Sequence, residues 1–152
     1  MKIHIGLLVI LIFAVTCSAA DISGKWLAQI TGPTGSKSER IFTFQFSGDQ
    51  LTGTVTNLQV SLATFQEEGK PPMTGTLKTQ NADPQAISEG KVSGDDVSFA
   101  IITRTPFGDI RAGYKGKISG DTIKFTIEQS GGMGGPMGGG QPQEIVAKRV
   151  TP

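Results

Sequence analysis

Apolar and polar residues alternate along most of the chain beyond residue 40: Phe42, Phe44, Phe46; Leu51, Val55; Val97, Phe99, Ile101; Ile110, Tyr114, Ile118; and Ile123, Phe125, Ile127. Successive side chains of a strand point to opposite faces, so a period of two over short runs separated by Gly-rich turns marks half-buried antiparallel strands. No comparable stretch has helical spacing, and the chain reads as all-β.

One phrase recurs within this alternation. Residues 116–127 read GKISGDTIKFTI, residues 90–101 read GKVSGDDVSFAI, and residues 44–55 read FQFSGDQLTGTV. If each Gly-Asp is a two-residue hairpin loop with glycine at the first central position, where positive φ is required, then Phe46 pairs with Leu51, Val92 with Val97 and Ile118 with Ile123. The next inward pairs set Gly53 against Phe44, Gly90 against Phe99 and Gly116 against Phe125. A ring across a cross-strand glycine covers backbone and permits the coiling of a small barrel. A calcium loop is the competing reading, but each copy has one carboxylate-bearing turn, far from the ligand density calcium needs. Thr105-Pro106-Phe107-Gly108 adds a tight turn with Pro second and Gly fourth, pairing Thr103 with Ile110. The expected strands are 22–31, 37–47, 50–57, 86–93, 96–104, 109–119, 122–129 and 143–150. Joined in order, about eight antiparallel strands make an up-and-down meander barrel.

Two segments stand apart. Residues 58–85 hold VSLATFQ and MTGTLKTQ around EEGKPP, an inserted hairpin that either brings the barrel to ten strands or folds over it as a flap. Residues 130–142, SGGMGGPMGGGQP, form a low-complexity Gly/Met loop. Its two methionines are too few for a copper(I) site, so it reads as a linker.

The opening MKIHIGLLVILIFAVTCSAA has a lysine, a short apolar run and small residues before Asp21. This predicts a signal peptide over 1–20 and one barrel domain over 21–152, placed in the periplasm or secreted, with no transmembrane segment in the mature chain. A lipid anchor at Cys17 is the alternative, although Ala14 and Thr16 stand where such a signal carries Leu and Gly or Ala. Cleavage would remove the sole histidine, His4, and the sole cysteine, Cys17. The mature chain then lacks the usual proton shuttles, nucleophile activators and zinc ligands, so no catalytic residue, metal or cofactor is expected. Its 13 Lys plus Arg (14 in the full chain, less Lys2) balance 13 Asp plus Glu, which gives no electrostatic case for nucleic acid. Glu39, Glu67, Glu68, Glu89 and Glu128 fall mostly on outward faces, without the inward carboxylate pair that sugar chemistry uses.

Gly24-Lys25-Trp26 on the first strand with Arg149 on the last resembles the Gly-x-Trp and closing Arg of lipocalins, which implies an Arg packed over the Trp where the barrel closes. ISGKW followed by LTGTV is similar to the opening of the avidin family; the single tryptophan departs from that family's biotin site. Most of the mature chain resembles uncharacterised secreted bacterial β-barrel modules with GKW and SGDxLTGTV phrases, some attached to hydrolases. Strand direction agrees with the lipocalin likeness, since both Trp26 and Arg149 fall near the Gly-Asp turns.

By parity, Arg40, Asn57, Ser88, Thr103 and Gln129 point inward at the other end, beside the long connections and the exposed turn carrying Phe107. That end is the expected mouth, and barrel mouths are where ligands settle. The leading expectation is a non-catalytic barrel that binds a small hydrophobic molecule or a glycan end there. The alternative is an interaction or accessory module for a secreted enzyme or the cell envelope. An empty mouth of several hundred Å³ would favour the first, and an interior packed by Phe42, Phe44, Phe46, Phe99 and Phe125 the second.

Overall fold

A computed structural model describes residues 21–32, 34–80, 83–131 and 141–151. The expected signal peptide, Cys17, and Met133 and Met137 of the Gly/Met loop lie outside them. The chain forms β1 (Gly24–Thr31), β2 (Lys37–Ser47), β3 (Gln50–Phe65), β4 (Met73–Gln80), β5 (Gln85–Ala86), β6 (Ser88–Ser93), β7 (Asp96–Thr105), β8 (Gly108–Ser119), β9 (Thr122–Gly131) and β10 (Gln143–Arg149). Among the described residues no helix is long and apolar enough to cross a membrane.

Eight of these strands close a ring in the order β2-β1-β10-β9-β8-β7-β6-β3, and pairing of β3 with β2 completes it. Every neighbouring pair is antiparallel. The barrel is the up-and-down meander that the alternation implies. Phe46 faces Leu51, Val92 faces Val97, and Ile118 faces Ile123 across their turns. Gly48, Gly94 and Gly120 have φ of 69°, 59° and 57°, whereas their aspartates are not among the positive-φ residues. These are type II′ turns, whose twist suits a hairpin. All three lie at one end, where Ile118 N–H bonds the Asp95 carbonyl (2.8 Å) of the second turn and Arg149 N–H the Asp121 carbonyl (2.9 Å) of the third.

The glycines opposite the phenylalanines serve two different purposes. At Gly116 the Phe125 ring lies across the backbone, as expected, and a Cβ there would strike it at 2.6 Å. At Gly53 (φ 147°) and Gly90 a Cβ would instead collide with the main-chain oxygens of Thr43 and Leu51 respectively. Gly90 does not oppose Phe99 in a simple register. Ser88 pairs with Ala100 and Lys91 with Ser98, so Glu89 and Gly90 together face one residue. This β-bulge holds Glu89 at φ 56° and reverses the alternation before it.

The aromatic side chains at the centre of the barrel come from β2, β7, β8 and β9, and β1 and β10 set alanines against them. Phe42, Phe44, Phe99, Tyr114 and Phe125 pack with ring centroids 4.5 to 6.2 Å apart. Ala28 and Ala147, opposite each other, leave room for them. Edge-to-face and stacked contacts of this kind add to what burial itself contributes.

The 58–85 segment neither adds two staves to the ring nor is a separate hairpin. β3 continues eight residues beyond Asn57, and β4 pairs only with this continuation. Leu58–Val60 still pair with β2 on their other side, but residues 61–65 pair with β4 alone. The result is a two-stranded arm that rises from the wall at the end opposite the Gly-Asp turns. β5 then brings the chain back beside Thr54 and Val55.

Candidate functional site

The closed end is assembled around Trp26. Its ring is fully buried, and its indole N–H donates to the Ile22 carbonyl at 2.9 Å. Trp26 pairs with Arg149 across β1 and β10, which sets the guanidinium 4.3 Å over the ring centroid. Arg149 also donates to the carbonyls of Asp21 (2.7 Å) and Ser23 (2.8 Å) and to the Asp121 carboxylate (3.0 Å). A cation over an indole face with its N–H edge fully engaged acts as a rigid stopper. Asp21 accepts a hydrogen bond from Ser23, and this bond, with Arg149 nearby, holds its carboxyl below the usual carboxylate range.

At the opposite end Arg40 and Asn57 are cross-strand partners on β2 and β3, with side chains on the inward face. Arg40 Nε donates to Asn57 Oδ1 at 2.7 Å, and its Nη1 donates to the Tyr114 hydroxyl at 2.9 Å. Ala28 faces Arg40 from β1 and leaves space for the guanidinium. The trio caps the aromatic core, since Tyr114 is buried, stacks on Phe99 at 4.5 Å and carries the Arg40 charge 5.9 Å from its ring centroid. Burial pushes the Tyr114 hydroxyl pKa up, and the charge of Arg40 opposes that shift. Among the described residues no carboxylate lies within 4.0 Å of Arg40. Its neighbour Glu39 faces outward and is taken by Lys78 of the arm, whose ammonium reaches both carboxylate oxygens at 3.0 and 2.7 Å.

The remaining expected mouth residues do not form one cluster with this trio. Thr103 accepts a hydrogen bond from Gln85 at 3.0 Å, and Gln85 sits opposite Val55, two residues from Asn57 on the same strand. Gln129 is exposed and lines a cleft of about 80 Å³ with Ile127, Gln141 and Gln143. Phe107 is 69% exposed at the tip of the β7–β8 turn. Ser88 is a correction: the bulge at Glu89 and Gly90 turns it to the outer face with Ala100, and Ile87 packs on the core instead.

Sequence reasoning missed Tyr114 and Gln85 as polar members of this end. Tyr114 was legible as an inward strand residue, and it is the only tyrosine in the chain. A phenol in an aromatic interior needs a partner, and Arg40 was the nearest inward donor. Gln85 was hidden because the bulge breaks the parity that would have placed it. Among the described residues no group of three or more His, Cys, Asp or Glu could hold a metal ion. The interior below Arg40 is packed, and hollows of several hundred Å³ lie outside it. One of about 370 Å³ lies at the base of the arm, lined in part by Glu39, Val60 and Lys78, and one of about 490 Å³ lies at its tip, lined in part by Phe65, Pro71 and Met73.

No protein-family model, curated protein or solved structure matches this chain.

Proposed function

We propose that this chain is a non-catalytic secreted barrel that receives one end of a small molecule or a glycan at its mouth. The observation that carries the reading is Arg40. A half-buried guanidinium on the inward face at the top of an aromatic core, held by two neutral groups and among the described residues by no carboxylate, leaves its charge to water or to an arriving ligand. The packed interior makes this a rim site, where a ligand end rests on the trio rather than entering a deep calyx. A thermal-shift screen of the mature protein against fatty acids, aromatic acids and oligosaccharides tests it. A ligand at a hundred times its dissociation constant stabilises by about 2.7 kcal/mol. The expected hit is lost in Arg40→Ala and kept in Lys124→Ala, which alters an outward pair with Glu144. A hit indifferent to Arg40 would place binding elsewhere.

A second reading rests on its own observation. The arm exposes Leu62, Phe65, Met73 and Leu77, and Phe107 stands out on its turn. These are apolar groups of the size that interfaces use, and a packed interior is what an accessory module for a secreted enzyme or the envelope would have. Chemical crosslinking in the native secretion medium, with the arm intact or shortened, distinguishes the two. Loss of crosslinked species with the arm, without loss of any small-molecule hit, supports the module.

A further inference from the structure

We infer that the group received at the mouth is a carboxylate, and that it heads an apolar chain lying along the inward-parity face of the arm. This rests on the reading of the mouth as a binding site and names its ligand class.

The first argument counts donors and acceptors. Asn57 Oδ1 and the Tyr114 oxygen both accept from Arg40. What remains is the Asn57 amide N–H₂, the Tyr114 O–H proton and the Nη2 edge of Arg40 as donors, beside one further lone pair on each of the two oxygens. A sugar end offers hydroxyls that must both give and accept. A donor-rich site around a positive charge with no carboxylate partner among the described residues favours an anion over a neutral hydroxyl, and a planar carboxylate matches a guanidinium edge. A single cation neutralises a carboxylate, whereas a phosphate dianion would stay half uncompensated.

The second argument follows the strand upward. Asn57, Gln59, Ser61, Ala63 and Phe65 share the face that lower on β3 lines the barrel. Their partners across the arm are Thr79 for Gln59, Leu77 for Ser61, Gly75 for Ala63 and Met73 for Phe65. The face is therefore polar beside the trio and apolar from the Leu77 row to the tip, where the Phe65 ring lies over Gly75. At about 3.3 Å per residue the Leu77 row is roughly 13 Å from Asn57 and the Phe65 row roughly 26 Å. Among the described residues Leu77, Phe65 and Met73 on this face stand 47%, 54% and 66% exposed. A head that needs an anion and an exposed apolar track leading from it together describe a long-chain acid.

Titration calorimetry of the delipidated mature protein with octanoate, laurate and palmitate, with lauryl alcohol, inorganic phosphate and an oligosaccharide as controls, tests this. The acids are expected to bind with affinity rising at least tenfold from octanoate to palmitate, lauryl alcohol at least tenfold more weakly than laurate, and phosphate more weakly still. Arg40→Met should cost at least tenfold, with Tyr114→Phe, which removes one O–H donor, as the gentler second variant. Leu77→Ser and Phe65→Ser lie outside the barrel core and should flatten the chain-length dependence while leaving octanoate unchanged. Equal binding of acid and alcohol, or an affinity indifferent to chain length, overturns the inference. Oligosaccharide binding that depends on Arg40, with no acid binding, overturns it while the mouth stands. Silence from every probe overturns the mouth reading itself.

Discussion

Two arginines of the same barrel meet opposite circumstances, and each has a measurable consequence. Arg149 donates one hydrogen bond from each of its three guanidinium nitrogens and has an indole beneath it, so Trp26 is covered by a cation held to main-chain carbonyls. Trp26→Ala should cost about 3 to 5 kcal/mol, as large aromatic deletions in cores do. Arg149→Ala should cost about 2 kcal/mol and shift the emission of this sole tryptophan. Denaturant midpoints equal to wild type in both variants would contradict the stopper. Arg40 instead reports through Tyr114. The folded state keeps the phenol proton longer than the unfolded chain does. This group's contribution to stability is therefore complete below the ordinary tyrosine pKa of about 10 and is lost as pH rises through the higher folded value. Arg40→Met removes the charge that opposes the shift, so the phenolate should form at still higher pH. Since the chain has one tyrosine, its ultraviolet titration is unambiguous, and a curve at the ordinary pH that ignores Arg40 would sink the contact.

At the scale of elements, what the sequence made legible and what it hid have the same origin. Parity counting places every residue of a regular hairpin, and it holds for the pairs flanking the three Gly-Asp turns and for Thr103–Ile110, and it sets Trp26 and Arg149 at the same end. It fails wherever one residue is inserted, because a single extra residue exchanges the two faces. Glu89 is that residue: an ordinary glutamate with nothing in its alternation to announce a bulge, and so Ser88 was assigned inward and Gln85 overlooked. The arm was hidden differently. A strand that leaves the barrel keeps its alternation, so VSLATFQ looks alike as wall or as ribbon, and only its partners decide. The join between arm and wall is the Lys78–Glu39 pair, in which Glu39 is 7% exposed and Lys78 half exposed. Lys78→Met leaves a carboxylate nearly buried and alone. It should cost about 2 kcal/mol, below the 3 to 5 of a fully buried pair. Adding Glu39→Gln should recover most of that loss, and a double variant no more stable than the single one would show that the two side chains are not coupled.

For the whole molecule, the closed end and the mouth should differ in how readily they open. At the closed end Trp26 is buried under Arg149, which is bonded to the Asp121 turn and to the carbonyls of Asp21 and Ser23, and the aromatic cluster extends from there to the level of Arg40. Above it stand a polar trio, the Gln85–Thr103 bond and an arm in which residues 61–65 pair, among the described residues, with β4 alone. Local opening follows buried apolar contact, so amide exchange should be slowest in β7, β8 and β9 and fastest in residues 61–77. The arm is then separable. Val60 and Lys78 are paired, so replacing residues 61–77 by Asn-Gly closes the ribbon with a two-residue turn of the kind a hairpin prefers. The pair with Glu39 survives this cut, and no core residue is touched. The shortened protein should therefore unfold in one transition within about 1 kcal/mol of the parent, a Tm change of about 4 °C or less. A larger loss would mean that the arm lies down on the mouth and stabilises it. Retention of the fold with loss of an acid's chain-length dependence would assign the arm to binding alone.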